Sequence, residues 1–299
     1  MRKIRTIKDR FARYFMIGMA VFAILFLVII GFSLFFKAVP VIKEKNLWIL
    51  LSSSNWRPFR GDFGFLPFIL STLYVSLIAI IIALPLSVLI SIFLHSYASK
   101  GVKRFFEPVV DLLSGIPPVI YGLWGTLAIV PLISEKIAPR FVEFSTGYTV
   151  LAGGIVLAVM IIPLLISIMV ELFRSIPREM TDASLSLGAT KWQTIKKVIL
   201  RRSFSGIIAA TVLALSRAFG ETMAVLMVCG NIPEIPRSFF DACYPLPALI
   251  ANNYGEMLSM PGYESALMFA AFLLFIIVIV FNMISRITLK QIEKRYQFS

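Results

Sequence analysis

The chain has 299 residues, of which 59% are hydrophobic and only 15% are charged, and its mean hydropathy is +0.88. Soluble domains carry about 25% charged residues, so this composition excludes a water-soluble globule and indicates an integral membrane protein. The net charge of +13 could indicate a nucleic-acid partner. The basic residues, however, lie in short segments between long uncharged stretches, as in membrane-protein loops, so we expect no nucleic acid to bind.

Six long stretches almost free of charge predict six transmembrane helices, because about 20 apolar residues cross a bilayer. The first is too long for the apolar region of a signal peptide, so we expect it to remain in place. The predicted fold is therefore an all-α membrane bundle. The six stretches are residues 14–36, 66–94, 109–132, 148–170, 204–230 and 265–285.

Lysine and arginine residues follow a clear pattern along the chain. With the N-terminus placed in the cytoplasm, most of the 29 lysines and arginines fall in segments on the cytoplasmic side. Cytoplasmic loops of membrane proteins carry such an excess of basic residues. Both termini are therefore predicted to be cytoplasmic.

Helix-breaking residues interrupt the second and third predicted helices. Pro85 predicts a kink in the second helix, and the third contains Gly115-Ile116-Pro117-Pro118 followed by Gly122 and Gly125. In lipid, backbone groups freed by such breaks need partners from neighbouring helices or from a water-filled cavity. The third helix is therefore predicted inside the bundle, either as a packing kink or as the lining of a pathway.

The largest predicted cytoplasmic loop, residues 174–202, has the pattern of two short helices joined by a glycine. Pro177 suits a first helical turn, and Gly188 suits the left-handed residue that follows a helix. Thr190 and Gln193 have the spacing of a capping box at the start of a second helix. This stiff segment could be moved by a soluble partner. Alternatively, it is an amphipathic connector that rests on anionic lipid through its lysine side chains.

Arg217 and Glu221 are ionisable residues within the fifth predicted helix, where even lenient scales give a central arginine a cost of about 2.5–3.5 kcal/mol. Their four-residue spacing predicts that they share one helix face. One interpretation is an internal salt bridge that neutralises itself. The other is a path for an oxyanion, because a guanidinium offers a planar fork of donors and Glu221 would weaken binding enough for release. Glu221 could also accept a proton from hydrogen phosphate while repelling sulfate.

No catalytic or ATP-binding motif is predicted. Residues 188–191 lack the second glycine and the strand of a P-loop, and His95 has no partner at catalytic spacing. Two cysteines and one histidine are too few for a metal site. Cys229 lies in an apolar run, which favours a small buried side chain over half of a disulfide with Cys243. The chain is therefore predicted not to be an enzyme and to use neither cofactor nor metal.

Residues 182–184 (Asp-Ala-Ser), with Gly188 four positions later and a hydrophobic run at 198–200, resemble the coupling loop of ABC importer permeases. Ser184 stands where the family has a second alanine, and Arg201 stands where it has proline. In that family the loop seats in a groove of the ATPase subunit. The resemblance therefore favours a docking element, with the coupling residues Glu179, Asp182, Ala183, Gly188, Thr190 and Lys191.

Four segments in order resemble the permeases of the phosphate-specific transport system, and they are closer to its C subunit than to its A subunit. These segments are residues 56–67, 115–122, 187–192 and 217–224. The resemblance implies a type I ABC importer permease of the bacterial cytoplasmic membrane that imports phosphate by alternating access, with Arg217 and Glu221 in the path. It also implies a sister permease, two ATP-binding subunits and an extracytoplasmic phosphate-binding protein as partners.

In this interpretation a permease core at residues 66–289 contains the coupling loop at 174–202. A basic tail (1–13), a first helix (14–36) and an external loop (37–65) precede the core, and a cytoplasmic tail (290–299) follows it. Two alternatives remain open. The cargo could be another oxyanion, such as molybdate, sulfate or phosphonate, or the chain could be a stand-alone secondary transporter or channel.

Overall fold

The computed structural model describes residues 2–255 and 262–297, with side chains described over 11–255 and 262–287. These residues are mostly helical, apart from one short hairpin. Six helices among them are long and apolar enough to cross a membrane, which confirms the predicted six-helix membrane fold. They are Phe11–Glu44, Leu66–Tyr97, Pro118–Arg140, Val150–Arg174, Lys191–Gly220 and Tyr263–Ile287.

The first helix, α1 (Arg2–Glu44), extends beyond both ends of the predicted span at 14–36. Only 6% of its most apolar stretch is buried within this chain. It packs along the last helix, α13 (Tyr263–Gln297), where Gly31 lies against the ring of Phe275. The predicted tails at 1–13 and 290–299 fall mainly on residues whose side chains lie outside the described part of the chain.

A short helix and a hairpin connect α1 to the next membrane helix. They are α2 (Leu47–Ser52), β1 (Trp56–Arg57) and β2 (Asp62–Phe63), with β1 and β2 antiparallel and joined by a 3₁₀ turn. The ring of Trp56 packs edge-on against Phe63 and Phe68, at centroid distances of 5.5 and 4.9 Å. This aromatic cluster fixes the hairpin against the start of the following helix.

Two long helices form the centre of the bundle. The first, α3 (Leu66–Ile92), continues through Pro85 and ends in a π-helical turn, Phe93–Tyr97. The second, α7 (Val150–Arg174), has 56% of its most apolar stretch buried. Close approach is possible because Gly154 has no side chain: a Cβ there would lie 2.3 Å from Ile78.

The third predicted span is divided at its glycine and proline residues. One helix, α4 (Lys100–Ser114), ends before the break, and α5 (Pro118–Trp124) begins after it. The Tyr121 hydroxyl crosses the break and donates a hydrogen bond of 2.7 Å to the Leu113 carbonyl. The same carbonyl also accepts the Ile116 N–H at 3.3 Å, whereas Pro117 has no N–H to offer it. Its partners therefore come from the interrupted span itself, and not from the neighbouring helices or the water-filled cavity that the sequence predicts.

After α5 the third span continues through a series of short helical turns. These are a π-helical turn (Gly125–Ile129), α6 (Val130–Leu132), a second π-helical turn (Ile133–Ile137) and a 3₁₀ turn (Ala138–Arg140). The Thr149 side chain then accepts the N–H of Ala152 at 3.1 Å and caps the start of α7.

The predicted loop at 174–202 contains one helix followed by the start of the fifth membrane helix. The first helix is α8 (Arg178–Ser186). A continuous helical run then begins with α9 (Lys191–Thr194), passes through a π-helical turn (Ile195–Ile199) and ends with α10 (Leu200–Gly220). The second half of the loop is therefore part of a membrane-spanning helix, because nothing between the capping box and Gly220 breaks it.

Two short helices follow the fifth span: α11 (Met223–Val228) and α12 (Leu246–Asn253). The segment between them is anchored to α3 through two neighbouring hydroxyls. Ser71 accepts the N–H of Tyr244 at 3.2 Å, and Thr72 accepts the N–H of Leu246 at 2.9 Å. Pro245, between them, has no N–H to satisfy.

Candidate functional site

The fifth span contains a break between Arg217 and Glu221 that alters the predicted arrangement. Helix α10 ends at Gly220, and Glu221 is extended, with φ −72° and ψ 124°. The prediction that the two side chains share one helix face is therefore wrong. The prediction of an unbroken helix over 204–230 is wrong at residues 221–222 as well.

The Glu221 carboxylate provides the physical reason for the break. Its Oε1 accepts the backbone N–H of Ala224 at 3.3 Å, in the first turn of α11. The first N–H groups of a helix have no partner within it, and a negative charge there is favourable. Glu221 thus acts as the cap of a new helix instead of continuing the old one.

Arg217 lies at the depth of the middle of α7. A Cβ on Gly206 would lie 2.4 Å from Leu172, close to one end of α7, whereas Glu221 and Leu157 line the same small cavity nearer the other end. On α10, Arg217 lies between Gly206 and the end of the helix, so its depth is between that of Leu172 and that of Leu157 on α7. In a bilayer that α7 crosses, this is membrane depth.

The Arg217 guanidinium is exposed in the isolated chain. Over residues 11–255 and 262–287, it makes no ion pair with Glu221 or any other carboxylate, so the structure does not show the internal salt bridge that was one interpretation. Next to Arg217, a side chain at Gly220 would meet nothing within 4 Å.

The surface around Arg217 is apolar. Exposed side chains on α5, α10 and α11 and in the turn after α5 are Ile120, Leu123, Leu127, Leu213 and Met223. A cation on such a surface at membrane depth is costly unless a counter-charge meets it. The arrangement is therefore suited to hold an anion between this chain and whatever covers the surface.

Glu221 also borders a small cavity of about 10 Å³ shared with α3 and α7. Thr72 and Ser76 contribute hydroxyls to its lining, and Leu157 contributes apolar surface. This volume is about that of one water molecule, measured by the probe it admits. Glu221 therefore faces a small space that it shares with α3 and α7, in addition to its bond to α11.

Two glycines let α5 and α11 approach closely. A Cβ on Gly122 would lie 2.8 Å from the Met227 sulfur, and one on Gly125 would lie 2.9 Å from Val228 and 2.5 Å from Val156. The Thr126 hydroxyl also lies 3.2 Å from the Met227 carbonyl, within hydrogen-bond distance. The helix that follows the break in the third span is therefore packed directly on the helix that follows the break in the fifth.

The predicted turn between α8 and α9 has the expected local geometry. Gly188 has φ +82°, the left-handed conformation that glycine adopts without strain. The Thr190 hydroxyl accepts the Gln193 N–H at 3.2 Å, and the Gln193 side chain accepts the Thr190 N–H at 2.8 Å. The predicted glycine turn and capping box are confirmed.

The coupling residues named from the resemblance gather around this turn. Glu179, Asp182 and Ala183 are exposed on α8. The ammonium of Lys191 lies 5.5 Å from the ring centroid of Tyr97. The structure brings these residues together at one end of the bundle. Arg217 and Glu221 lie apart from them, near and just beyond the other end of α10.

The sequence did not predict a hydroxyl pair that joins α8 to the fifth membrane helix. Ser184 and Thr194 lie 3.0 Å apart, oxygen to oxygen, and Thr194 is buried at 4% exposure. Ser184 is one of the two residues, with Arg201, that depart from the coupling-loop pattern. Its hydroxyl makes a hydrogen bond to Thr194 that alanine could not make.

A cleft of about 850 Å³ lies at the opposite end of the bundle from α8, beside the start of α7. It is formed by three connecting segments, and Phe144 beside it is 83% exposed. The Asp241 carboxylate accepts the N–H groups of Arg237 and Ser238 at 2.9 and 2.8 Å, which fixes one wall. The segments are residues 54–55, 144–146 and 232–242.

Over the described residues, no three His, Cys, Asp or Glu side chains are grouped as metal ligands.

Residues 87–298 match the protein family described as "Binding-protein-dependent transport system inner membrane component". One relative, "Probable ABC transporter permease protein YqgH" of Bacillus subtilis, is 41% identical over 69% of this chain and 66% of its own length. "Phosphate transport system permease protein PstC" of Mesorhizobium japonicum is 32% identical over 98% of this chain and 96% of its own length.

Solved structures show the same fold. One is a bacterial ABC transporter involved in the import of the acidic polysaccharide alginate, with a TM-score of 0.63. The alignment covers 96% of this chain and 99% of that one, at 14% identity. At this identity the similarity shows the fold alone.

Proposed function

Because this chain belongs to the family of binding-protein-dependent transport system inner membrane components, we propose that it is the permease subunit of an ATP-driven importer that moves inorganic phosphate into the cell. The relative named as a phosphate transport permease spans nearly the whole chain and supports the cargo. The single observation that carries the proposal is Arg217, a cation without an ion-pair partner in the described residues, on an apolar surface at membrane depth.

Arg217 suits a tetrahedral oxyanion. Its guanidinium presents several N–H donors in one plane, which can hold two oxygens of a phosphate at once. Transport also requires release, so the binding must be weak. Water that reaches the exposed side chain and the negative charge of Glu221 farther along the chain both keep it weak.

Movement reaches the pathway through one stiff element. Residues Lys191–Gly220 form a single helical run of 30 residues, roughly 45 Å long at 1.5 Å per residue. Helix α8 docks on a partner ATPase, and its displacement turns this run, which carries Arg217 near its far end. The opening would then alternate between the two sides of the membrane while the ATPase closes and opens.

The partners follow from the surfaces that this chain leaves uncovered. The exposed apolar face around Arg217 fits a sister permease, which would close the pathway. Two ATPase subunits would supply the ATP site that this sequence lacks. The 850 Å³ cleft offers an extracytoplasmic phosphate-binding protein a place to dock, with α8 and both termini in the cytoplasm of a bacterial inner membrane.

The test is uptake of radiolabelled phosphate by proteoliposomes that contain the complete importer, with the binding protein added outside and ATP enclosed. We expect uptake that requires ATP and is competed by unlabelled phosphate but not by sulfate, molybdate or phosphonate. Equal competition by sulfate or molybdate would identify a different oxyanion as cargo. Uptake by this chain without the ATPase would instead show a secondary transporter or channel.

A further inference from the structure

Cys229 and Cys243 lie at the two stems of the loop that joins α11 to α12, and both are fully buried. The chain between them is long, and the sequence predicts two unrelated side chains. The fold brings the stems together: the Cys243 N–H donates to the Cys229 carbonyl at 2.8 Å, and the Asn231 N–H donates to the Cys243 carbonyl at 3.1 Å. These two bonds form a parallel bridge between Gly230 and Cys243.

The geometry of the pair meets the requirements of a disulfide. Two residues joined by a backbone hydrogen bond of this length have Cα atoms about 5–6 Å apart, and disulfides span about 4.4–6.8 Å between Cα atoms. The structure holds both cysteines as unbonded, buried thiols. The backbone bridge therefore places the two cysteines within the range of Cα separations that a disulfide can span.

We propose that Cys229 and Cys243 are joined by a disulfide in the mature importer. This inference rests on the proposed orientation, which places the loop on the extracytoplasmic side, where disulfides form and persist. Buried thiols are shielded in the folded protein. The bond therefore forms during folding, before α12 covers the pair.

The reaction is a thiol–disulfide exchange with an extracytoplasmic thiol oxidase. One cysteine thiolate attacks a sulfur of the oxidase disulfide, forms a mixed disulfide and releases one oxidase thiol. The second cysteine thiolate then attacks the sulfur of the first cysteine in that mixed disulfide and releases the second oxidase thiol. The products are the Cys229–Cys243 bond and the reduced oxidase, which has taken up two electrons and two protons.

The bond would fix the loop that forms one wall of the 850 Å³ cleft, because residues 232–242 lie between the two cysteines. Ser71 and Thr72 already hold the chain just beyond Cys243 through the N–H groups of Tyr244 and Leu246. The disulfide adds a second anchor at the α11 side. The wall would then keep its shape while the membrane helices below it move.

The sequence makes this bond directly detectable, because Arg237 is the lone lysine or arginine between the cysteines. The complete importer is released from cells into denaturant with N-ethylmaleimide, digested with trypsin and analysed by mass spectrometry. Without reductant, we expect peptides 218–237 and 238–286 as one linked species that carries no maleimide. After reduction with dithiothreitol, we expect two separate peptides.

The Cys229→Ser variant is the matched control. In it, peptide 238–286 should be unlinked and should carry one maleimide with or without reductant. Two separate peptides that each carry maleimide in the unreduced wild-type sample would overturn the disulfide. Phosphate uptake is measured in parallel on native importer purified from the same cells and placed in proteoliposomes. Uptake together with separate, maleimide-labelled peptides rejects the disulfide alone, and linked peptides without uptake reject the proposed cargo alone.

Discussion

The hydroxyl of Ser184 on α8 lies 3.0 Å from the hydroxyl of Thr194 in the first turns of the fifth membrane helix. Gly188 alone would leave the corner between these helices free to bend. The hydroxyl pair adds a second connection across the corner. If α8 docks on the ATPase as proposed, this connection would help to pass its displacement to the membrane helix.

We expect Ser184→Ala to lower the amount of phosphate transported per ATP hydrolysed several-fold while ATP hydrolysis itself continues. The change removes one hydrogen bond and leaves the buried Thr194 hydroxyl unpaired, at a cost of about 1 kcal/mol. Thr194→Val should behave alike, and the double variant should lose little more than either single one. Ser186→Ala, on the exposed side of the same helix, is the control. Equal coupling in the Ser184 and Ser186 variants would contradict the prediction.

Arg217→Gln should reduce phosphate uptake by about tenfold or more, because a hydrogen bond to a charged group contributes about 1.5–3 kcal/mol. Arg217→Lys retains the charge but not the planar fork, so uptake by this variant should lie between that of the wild type and that of Arg217→Gln. Uptake in proteoliposomes is measured at equal protein content, with Arg201→Gln, at the other end of the same helix, as the control. Normal uptake by Arg217→Gln would remove this residue from the pathway.

Glu221 has a charge and a capping bond, and two substitutions separate them. Glu221→Gln keeps an oxygen that can accept the Ala224 N–H but removes the charge, so we expect folding to be unaffected and the preference for phosphate over sulfate to fall. Glu221→Ala also removes the cap and should cost about 1 kcal/mol of stability. The measurement is inhibition of phosphate uptake by sulfate. An unchanged preference in Glu221→Gln would show that the charge plays no part in selectivity.

Tyr121→Phe should lower the free energy of unfolding by about 0.5–1.5 kcal/mol, because it removes the Tyr121 hydrogen bond at the break in the third span and leaves the Leu113 carbonyl with the Ile116 N–H, at 3.3 Å, as its partner. Thermal unfolding of the importer in detergent measures the shift. Tyr74→Phe is the control, since Tyr74 is 38% exposed and its hydroxyl makes no hydrogen bond among the described residues. A melting temperature equal to that of the control would show that water or another group satisfies the carbonyl.

The Lys45 ammonium donates a hydrogen bond of 2.8 Å to the Asp62 carboxylate, and this contact lowers the pKa of Asp62 below its ordinary value of 3.8. A lowered pKa in the folded state means that the stabilisation is fully present above pH 3.8 and is lost as the pH falls through the lower folded-state pKa. We expect the hairpin to loosen over that acidic range.

The fluorescence of Trp56, which packs on Phe63 in the same hairpin, reports the change once the other tryptophans are replaced by phenylalanine. Asp62→Asn should abolish the acid transition, and Asp182→Asn, at the other end of the bundle, should leave it intact. A transition that persists unchanged in Asp62→Asn would assign it to other groups.

Local features were predictable from the sequence because all of their parts lie within a few residues. Gly188 and the capping box of Thr190 and Gln193 depend on neighbours three or four positions apart, and the structure has them as expected. The six apolar stretches were equally clear, since each is long enough to be read without knowing what it packs against.

Features that depend on distant contacts were not predictable. Nothing in residues 217–224 alone shows that the Glu221 side chain caps a new helix. The position of α11 depends on its packing against α5 and on the bonds that hold Tyr244 and Leu246 to α3. The contact between Ser184 and Thr194 likewise needs the final angle of the glycine turn. The third span was predicted as one interrupted stretch, and the structure shows how its two halves are joined: the Tyr121 hydroxyl bonds to the Leu113 carbonyl across the break.

Gly122 and Gly125 leave room for side chains of α11, since the Met227 sulfur and Val228 fill the space that a Cβ at these positions would need. Because this interlocking resists sliding of one helix along the other, we expect α5 and α11 to move together when the pathway opens and closes. A methyl group at either glycine would push α5 and α11 apart. The pathway would then fail to close or to open fully, even with phosphate and ATP both present.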